Sequence, residues 1–175
     1  MKKVYIVEDD LIFYDFYSAY FQIALPEFEL VGIARDGQEA LRACADLLPD
    51  LILIDIQLPN ISGLELLKIF KQKYPTIIGV CFTGLTDLET IKEAVVSGAD
   101  GFIEKTCGLK ELIKALPVLF SGKKYFSPNV YRQLQLLNIF HVCWLGAVFF
   151  DLFTLLYSVL VCSIPDWIQS WYTRV

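Results

Sequence analysis

Along most of the chain, hydrophobic and polar positions fall into alternating blocks. Short apolar runs at 4–7, 28–33, 51–54, 77–82 and 101–103 are separated by segments whose apolar residues recur at helical spacing. Runs such as Val4-Tyr5-Ile6-Val7 and Leu51-Ile52-Leu53-Ile54 are continuous rather than alternating, as expected of strands covered on both faces. The spacing predicts helices over 11–24, 38–48, 63–73, 88–97 and 109–119. Pro26, Asp36-Gly37, Pro49-Asp50, Pro75 and Gly98 fall between elements, where turn-forming residues belong. Five strand–helix units in succession require a parallel sheet with helices on both faces. Function in such sheets gathers at the carboxyl ends of the strands, which is where candidate chemistry is sought.

Those ends carry a consistent set of groups. The first strand runs into Glu8-Asp9-Asp10 and the third into Asp55. The fourth ends in Phe82-Thr83-Gly84 and the fifth in Glu104-Lys105. Carboxylates crowded at one edge repel one another, and a hard divalent cation relieves that repulsion. Acids, a hydroxyl and an ammonium converging on one pocket suit a phosphoryl group carried on a carboxylate. Asp10 reads instead as the cap of the first helix, its carboxylate accepting an orphan backbone N–H.

Val4 to Asp10, Asp55-Ile56-Gln57-Leu58-Pro59 with Gly63, Thr83-Gly84, and Gly98-Ala99-Asp100-Gly101-Phe102-Ile103-Glu104-Lys105 occur in order. Together they resemble the receiver domain of bacterial two-component response regulators, over residues 1 to about 122. The resemblance implies a flavodoxin-like α/β fold, a five-stranded parallel sheet of order 2-1-3-4-5 with helices on both faces. It implies that Asp55 accepts a phosphoryl group from a sensor histidine kinase and that Mg²⁺ is required. Asp9 would be a direct ligand, Glu8 a ligand through water, and Asp55 and the backbone carbonyl of Gln57 would complete the protein's share. Thr83 and Lys105 would contact the phosphoryl group. Thr83 and Phe102 would form a switch pair that repacks the face of the fourth helix, fifth strand and fifth helix, through which a second copy could pair. Such a chain is a switch with slow self-dephosphorylation rather than a turnover enzyme. Two residues depart from the family's habit: Gly84 stands where alanine is usual, and Thr106 stands where many receivers have a proline. The rival readings are a pseudo-receiver that keeps the fold without the chemistry and a membrane-anchored receiver. A haloacid dehalogenase-type hydrolase would need an acid two residues after the nucleophile, where Gln57 stands.

The pattern changes after residue 122. The stretch 121–128, with Val130 and Leu134, resembles the linker of NarL/LuxR-type response regulators, which leads into a helix-turn-helix domain. The threonine-arginine-glutamate opening and basic recognition helix of such a domain do not follow. All but one of the 15 Lys and Arg, and all but two of the 20 Asp and Glu, precede residue 135. The chain's net charge of -5 likewise gives it little to grip phosphates with, so direct nucleic-acid binding by this chain is not expected. The expected organisation is a receiver at 1–122, a linker at 123–136 and a hydrophobic tail at 137–175.

Within 137–164, Asp151 is the only formal charge, and about twenty apolar residues suffice to cross a hydrocarbon core. Trp167, Trp171 and Tyr172 beyond it, with Lys123, Lys124 and Arg132 before it, would keep the receiver in the cytoplasm. Three readings of the tail stand side by side: a membrane anchor, a helix that pairs with another chain, and a frame-shifted remnant of a DNA-binding domain. The N-terminal apolar run is cut off by Glu8, too short for a signal peptide. Cys44, Cys81, Cys107, Cys143 and Cys162 include no C-x-x-C pair and read as small buried hydrophobes of a reducing compartment. The sole histidine, His141, lies in the tail, which excludes a Ser–His or Cys–His pair in the main region.

Overall fold

Val4, Ile6, Leu51, Leu53 and Val80 have almost no solvent exposure, because the strands that carry them lie inside a parallel sheet. The computed structural model describes residues 1–136. In chain order the elements are β1 (Lys2–Val7), α1 (Leu11–Ala24), β2 (Phe28–Ala34), α2 (Gly37–Leu47), β3 (Leu51–Ile54), α3 (Gly63–Lys73), β4 (Ile78–Thr83) and α4 (Leu88–Val96). Then come β5 (Gly101–Glu104), one 3-10 turn (Lys105–Cys107), α5 (Leu109–Phe120), β6 (Tyr125–Phe126) and α6 (Pro128–Leu136). Side chains of α1 and α5, including Tyr17, Phe21, Leu112, Leu116 and Leu119, share one core with Val4, Ile6, Leu53 and Ile103. The helices α2, α3 and α4 bury Ala40, Cys44, Leu66, Leu67, Phe70, Ile91 and Ala94.

Short polar side chains start the helices by accepting orphan N–H groups. Asp10 accepts from Ile12 at 2.9 Å, as expected from sequence, and Asp36, Ser62 and Asp87 do the same for α2, α3 and α4. Each such cap contributes about 1 kcal/mol. Gly63, the first residue of α3, is required by close approach: a Cβ there would overlap the carbonyl oxygen of Asp55 and lie 2.7 Å from Ile56 Cα. That contact holds the loop after β3 against the start of α3.

The sheet order is 2-1-3-4-5-6, so the five-strand expectation is one strand short. The added strand β6 sets Tyr125 and Phe126 parallel to Gly101 and Phe102. Two residues are too few to show a strand pattern in sequence. Within the stretch 123–136, read above as a linker, Ser127, Val130 and Leu134 are buried, and the compact unit runs from Met1 to Leu134. Val130 and Leu134 stand one helical turn apart, so a single stripe of α6 seats on the domain. The readings of 137–175 lie outside the described residues. Among the described residues, no helix is long and apolar enough to cross a membrane. Cys44 and Cys81 are buried, with thiols pushed up to about 12 by burial, whereas Cys107 is exposed, contrary to expectation, because it sits in the surface turn after β5.

Candidate functional site

Backbone register delivers the acids to one place. Val7 lies opposite both Ala34 and Ile54. The next residues stay tied to the sheet: Glu8 N–H donates to Ala34 and Asp55 N–H to Val7, each at 2.9 Å. Glu8 and Asp55 therefore leave the sheet side by side and both are buried, while Asp9 is exposed. One carboxylate oxygen from each of Glu8, Asp9 and Asp55 lies within 4.8 Å of the others.

Lys105 closes the cluster from the turn after β5. Its Nζ lies 2.6 Å from Asp55 Oδ2 and 2.8 Å from Glu8 Oε2, so one ammonium bridges two buried carboxylates. Burial opposes the charge on Lys105, but hydrogen bonds and attraction from Asp55 and Glu8 outweigh it and raise its pKa. Burial also raises the Glu8 pKa, and the hydrogen bond and attraction of Lys105 only partly offset this. The ammonium pairs with Glu8 and Asp55, and the exposed carboxylate of Asp9 adds to the negative charge at the same edge. Three carboxylates offering one oxygen each to a common point are the hard oxygen donors that a divalent cation such as Mg²⁺ takes, so the residues present fit that ion by their chemistry.

The backbone N–H of Gln57 donates to Asp55 Oδ1 at 3.2 Å, which fixes the carboxylate with Oδ2 toward Lys105; the Gln57 side chain is exposed. Thr83, the last residue of β4, is buried and in register with Glu104, at the same edge. Its hydroxyl oxygen accepts the N–H of Leu85 at 3.2 Å. Phe102 is fully buried on β5, between Cys81 of β4 and Phe126 of β6 in the register. No cis peptide bond occurs among the described residues, in keeping with Thr106 in place of proline. A Cβ on Gly84 would meet nothing within 4 Å, so the departure from alanine leaves open space beside Thr83.

Three participants escaped the sequence reading. The Phe13 ring centroid is 4.7 Å from Lys105 Nζ, close enough for a cation–π contact. Tyr17 stacks on Phe13 at 5.8 Å and brings its hydroxyl 3.5 Å from Glu8 Oε2; burial first, then the nearby carboxylates, raises its pKa. Their spacing of four residues on α1 was the available signal, but it reads equally as core. The third is Glu104, a buried acid at the end of β5 beside Lys105.

The sequence model of the response regulator receiver domain matches residues 4–117. Response regulator GacA of Pseudomonas viridiflava is 33% identical over 108 residues, covering 62% of this chain and 50% of the relative. Transcriptional regulatory protein LnrK of Bacillus subtilis is 29% identical over 134 residues, 77% of this chain and 60% of the relative. The chain thus spans one half to three fifths of these curated relatives. In fold it is similar to a LuxR-family two-component response regulator from Aurantimonas sp. SI85-9A1, with TM-score 0.73 and 23% identity over 78% of this chain and 97% of that one. It is also similar to the isolated REC domain of RcsB from Salmonella enterica serovar Typhimurium, with TM-score 0.68 and 22% identity over 75% and 97% of the two chains. With the acidic cluster at the strand ends and a match over 4–117, the chain belongs to the response regulator receiver domain family.

Proposed function

We propose that this chain is a phospho-accepting switch in which Asp55 takes a phosphoryl group from the phosphohistidine of a sensor histidine kinase. A carboxylate oxygen of Asp55 attacks phosphorus, the P–N bond breaks, and the imidazole leaves and takes up a proton. The observation that carries the reading is the Lys105 ammonium 2.6 Å from Asp55, beside the oxygens of Glu8 and Asp9. Its charge is placed to offset that of an arriving phosphoryl oxygen, the electrostatic stabilisation such transfers depend on. Thr83 accepts the N–H of Leu85 at rest, and its hydroxyl, once turned toward Asp55, would donate to a second oxygen. Asp9 and Asp55 directly, Glu8 through water, and the backbone carbonyl of Gln57 would hold Mg²⁺, which when bound supplies further neutralisation of phosphoryl oxygens.

Movement of Thr83 toward the phosphoryl group, with repacking at Phe102, turns this local charge change into a change at α4, β5 and α5. A second copy is the partner proposed for that face. Control of transcription is the proposed output, since a relative such as LnrK is a transcriptional regulatory protein. Incubating the full chain with acetyl phosphate and Mg²⁺ tests the reading by intact mass. A gain of one phosphoryl group is expected, abolished by Asp55→Asn and by a chelator. A gain that survives Asp55→Asn, or no gain at all, overturns it.

A further inference from the structure

A second buried carboxylate lies next to Lys105. Glu104 ends β5, and among the described residues it has no salt-bridge partner. Its partners are neutral: Cys107 Sγ of the turn after β5 donates to Oε2 at 3.7 Å, and from the start of α6 Ser127 Oγ donates to Oε2 at 3.1 Å and Asn129 Nδ2 to Oε1 at 2.9 Å. An acid at a helix N-terminus is the arrangement that the helix dipole favours. Ser127 N–H also donates to the Phe102 carbonyl at 2.9 Å, which ties the same point to the strand that carries the switch aromatic. Toward its other end, α6 is held by Gln133 Nε2, which donates to the Thr86 carbonyl at 3.2 Å. Thr86 lies three residues past Thr83, in the loop whose Leu85 N–H rests on the Thr83 hydroxyl. Between these anchors, Val130 and Leu134 are buried. One short helix is therefore pinned both to the strand that leads into Lys105 and to the loop that follows Thr83.

We propose that segment 127–134 is an intramolecular ligand of the switch face, docked while Asp55 is unmodified and released when Asp55 is phosphorylated. The inference rests on the phospho-acceptor reading above. To donate to a phosphoryl oxygen, Thr83 must turn toward Asp55 and give up the position in which it accepts from Leu85, and residues 84–86 follow. The Thr86 carbonyl moves with that loop, whereas Glu104 stays on its strand. A helix pinned at both places cannot keep both contacts. Losing one neutral hydrogen bond shifts the docking equilibrium about fivefold, and loss of the packing beneath it adds to that. Release uncovers the point on β5 that Ser127 occupies in the docked state, just beyond β6, and a second copy can then use the face between α4 and α5.

Hydrogen exchange on the full chain, with acetyl phosphate and Mg²⁺ and with intact mass read on the same sample, tests this. On phosphorylation, amides of 127–134 are expected to exchange about fivefold faster or more, while those of β1 and β3 keep their rates. Without phosphodonor, Gln133→Ala should already speed exchange in 127–134. By linkage it should also increase phosphoryl uptake by a similar factor, with Asn129→Ala as an independent second variant. Phosphorylation with unchanged or slower exchange of 127–134 overturns the release while leaving the phospho-acceptor reading intact. Absence of a mass gain overturns that reading, and the release with it.

Discussion

Lys105 holds two buried carboxylates at once, and its removal leaves Glu8 and Asp55 facing each other without a counter-charge. Breaking a largely buried pair of this kind costs about 3 kcal/mol. Lys105→Met is therefore expected to lower the urea midpoint, and millimolar Mg²⁺ should restore more stability to the variant than it adds to the wild type. Equal effects of Mg²⁺ on both would show that the ion does not share these carboxylates with the lysine. Glu8, Asp9, Asp55, Thr83 and Lys105 were legible in the sequence because each follows directly from a recognisable apolar run, and parallel strands must end at one edge. Phe13 was not, since its ring meets Lys105 across ninety-odd residues of chain, a contact that only the seating of α1 on the sheet creates.

At the scale of elements, β6 and α6 separate what pattern can reveal from what it cannot. A two-residue strand has no periodicity, and its place is set by the backbone of β5 and by Tyr125, whose hydroxyl donates to Glu111 Oε1 at 2.5 Å and so ties β6 to α5. That hydrogen bond, followed by the one from Lys114, holds the Glu111 carboxyl below its ordinary value of 4.5. With the folded pKa depressed, the contribution to stability is present above 4.5 and is lost as pH falls through the folded value. Glu111→Gln should therefore lower the urea midpoint at neutral pH, and the difference from wild type should shrink as the solution is acidified below 4.5. A difference that stays constant down to the acid transition would assign the loss to packing rather than to charge.

For the molecule as a whole, the boundary of the folded unit is the point at issue. Family motifs end near residue 105 and the last expected helix near 119, yet the compact unit continues to Leu134. A chain ending at residue 122 would leave Glu104 without Ser127 and Asn129, and would lose the burial of Val130 and Leu134. Burying two such aliphatic side chains contributes about 3 kcal/mol or more. Fragment 1–134 is thus expected to unfold cooperatively at a clearly higher urea concentration than fragment 1–122; coincident midpoints would show that 123–134 adds nothing to the stability of the receiver. The alternation of strands and helices, the parallel sheet and the acids, hydroxyl and lysine at its edge could be read from residue order, because local periodicity and strand ends are written in neighbouring residues. That one ammonium bridges Glu8 and Asp55, that the Phe13 ring of α1 stands over it, and that α6 rests on Glu104 emerged only with folding. Those contacts join distant parts of the chain, and their partners are fixed by packing and register rather than by spacing.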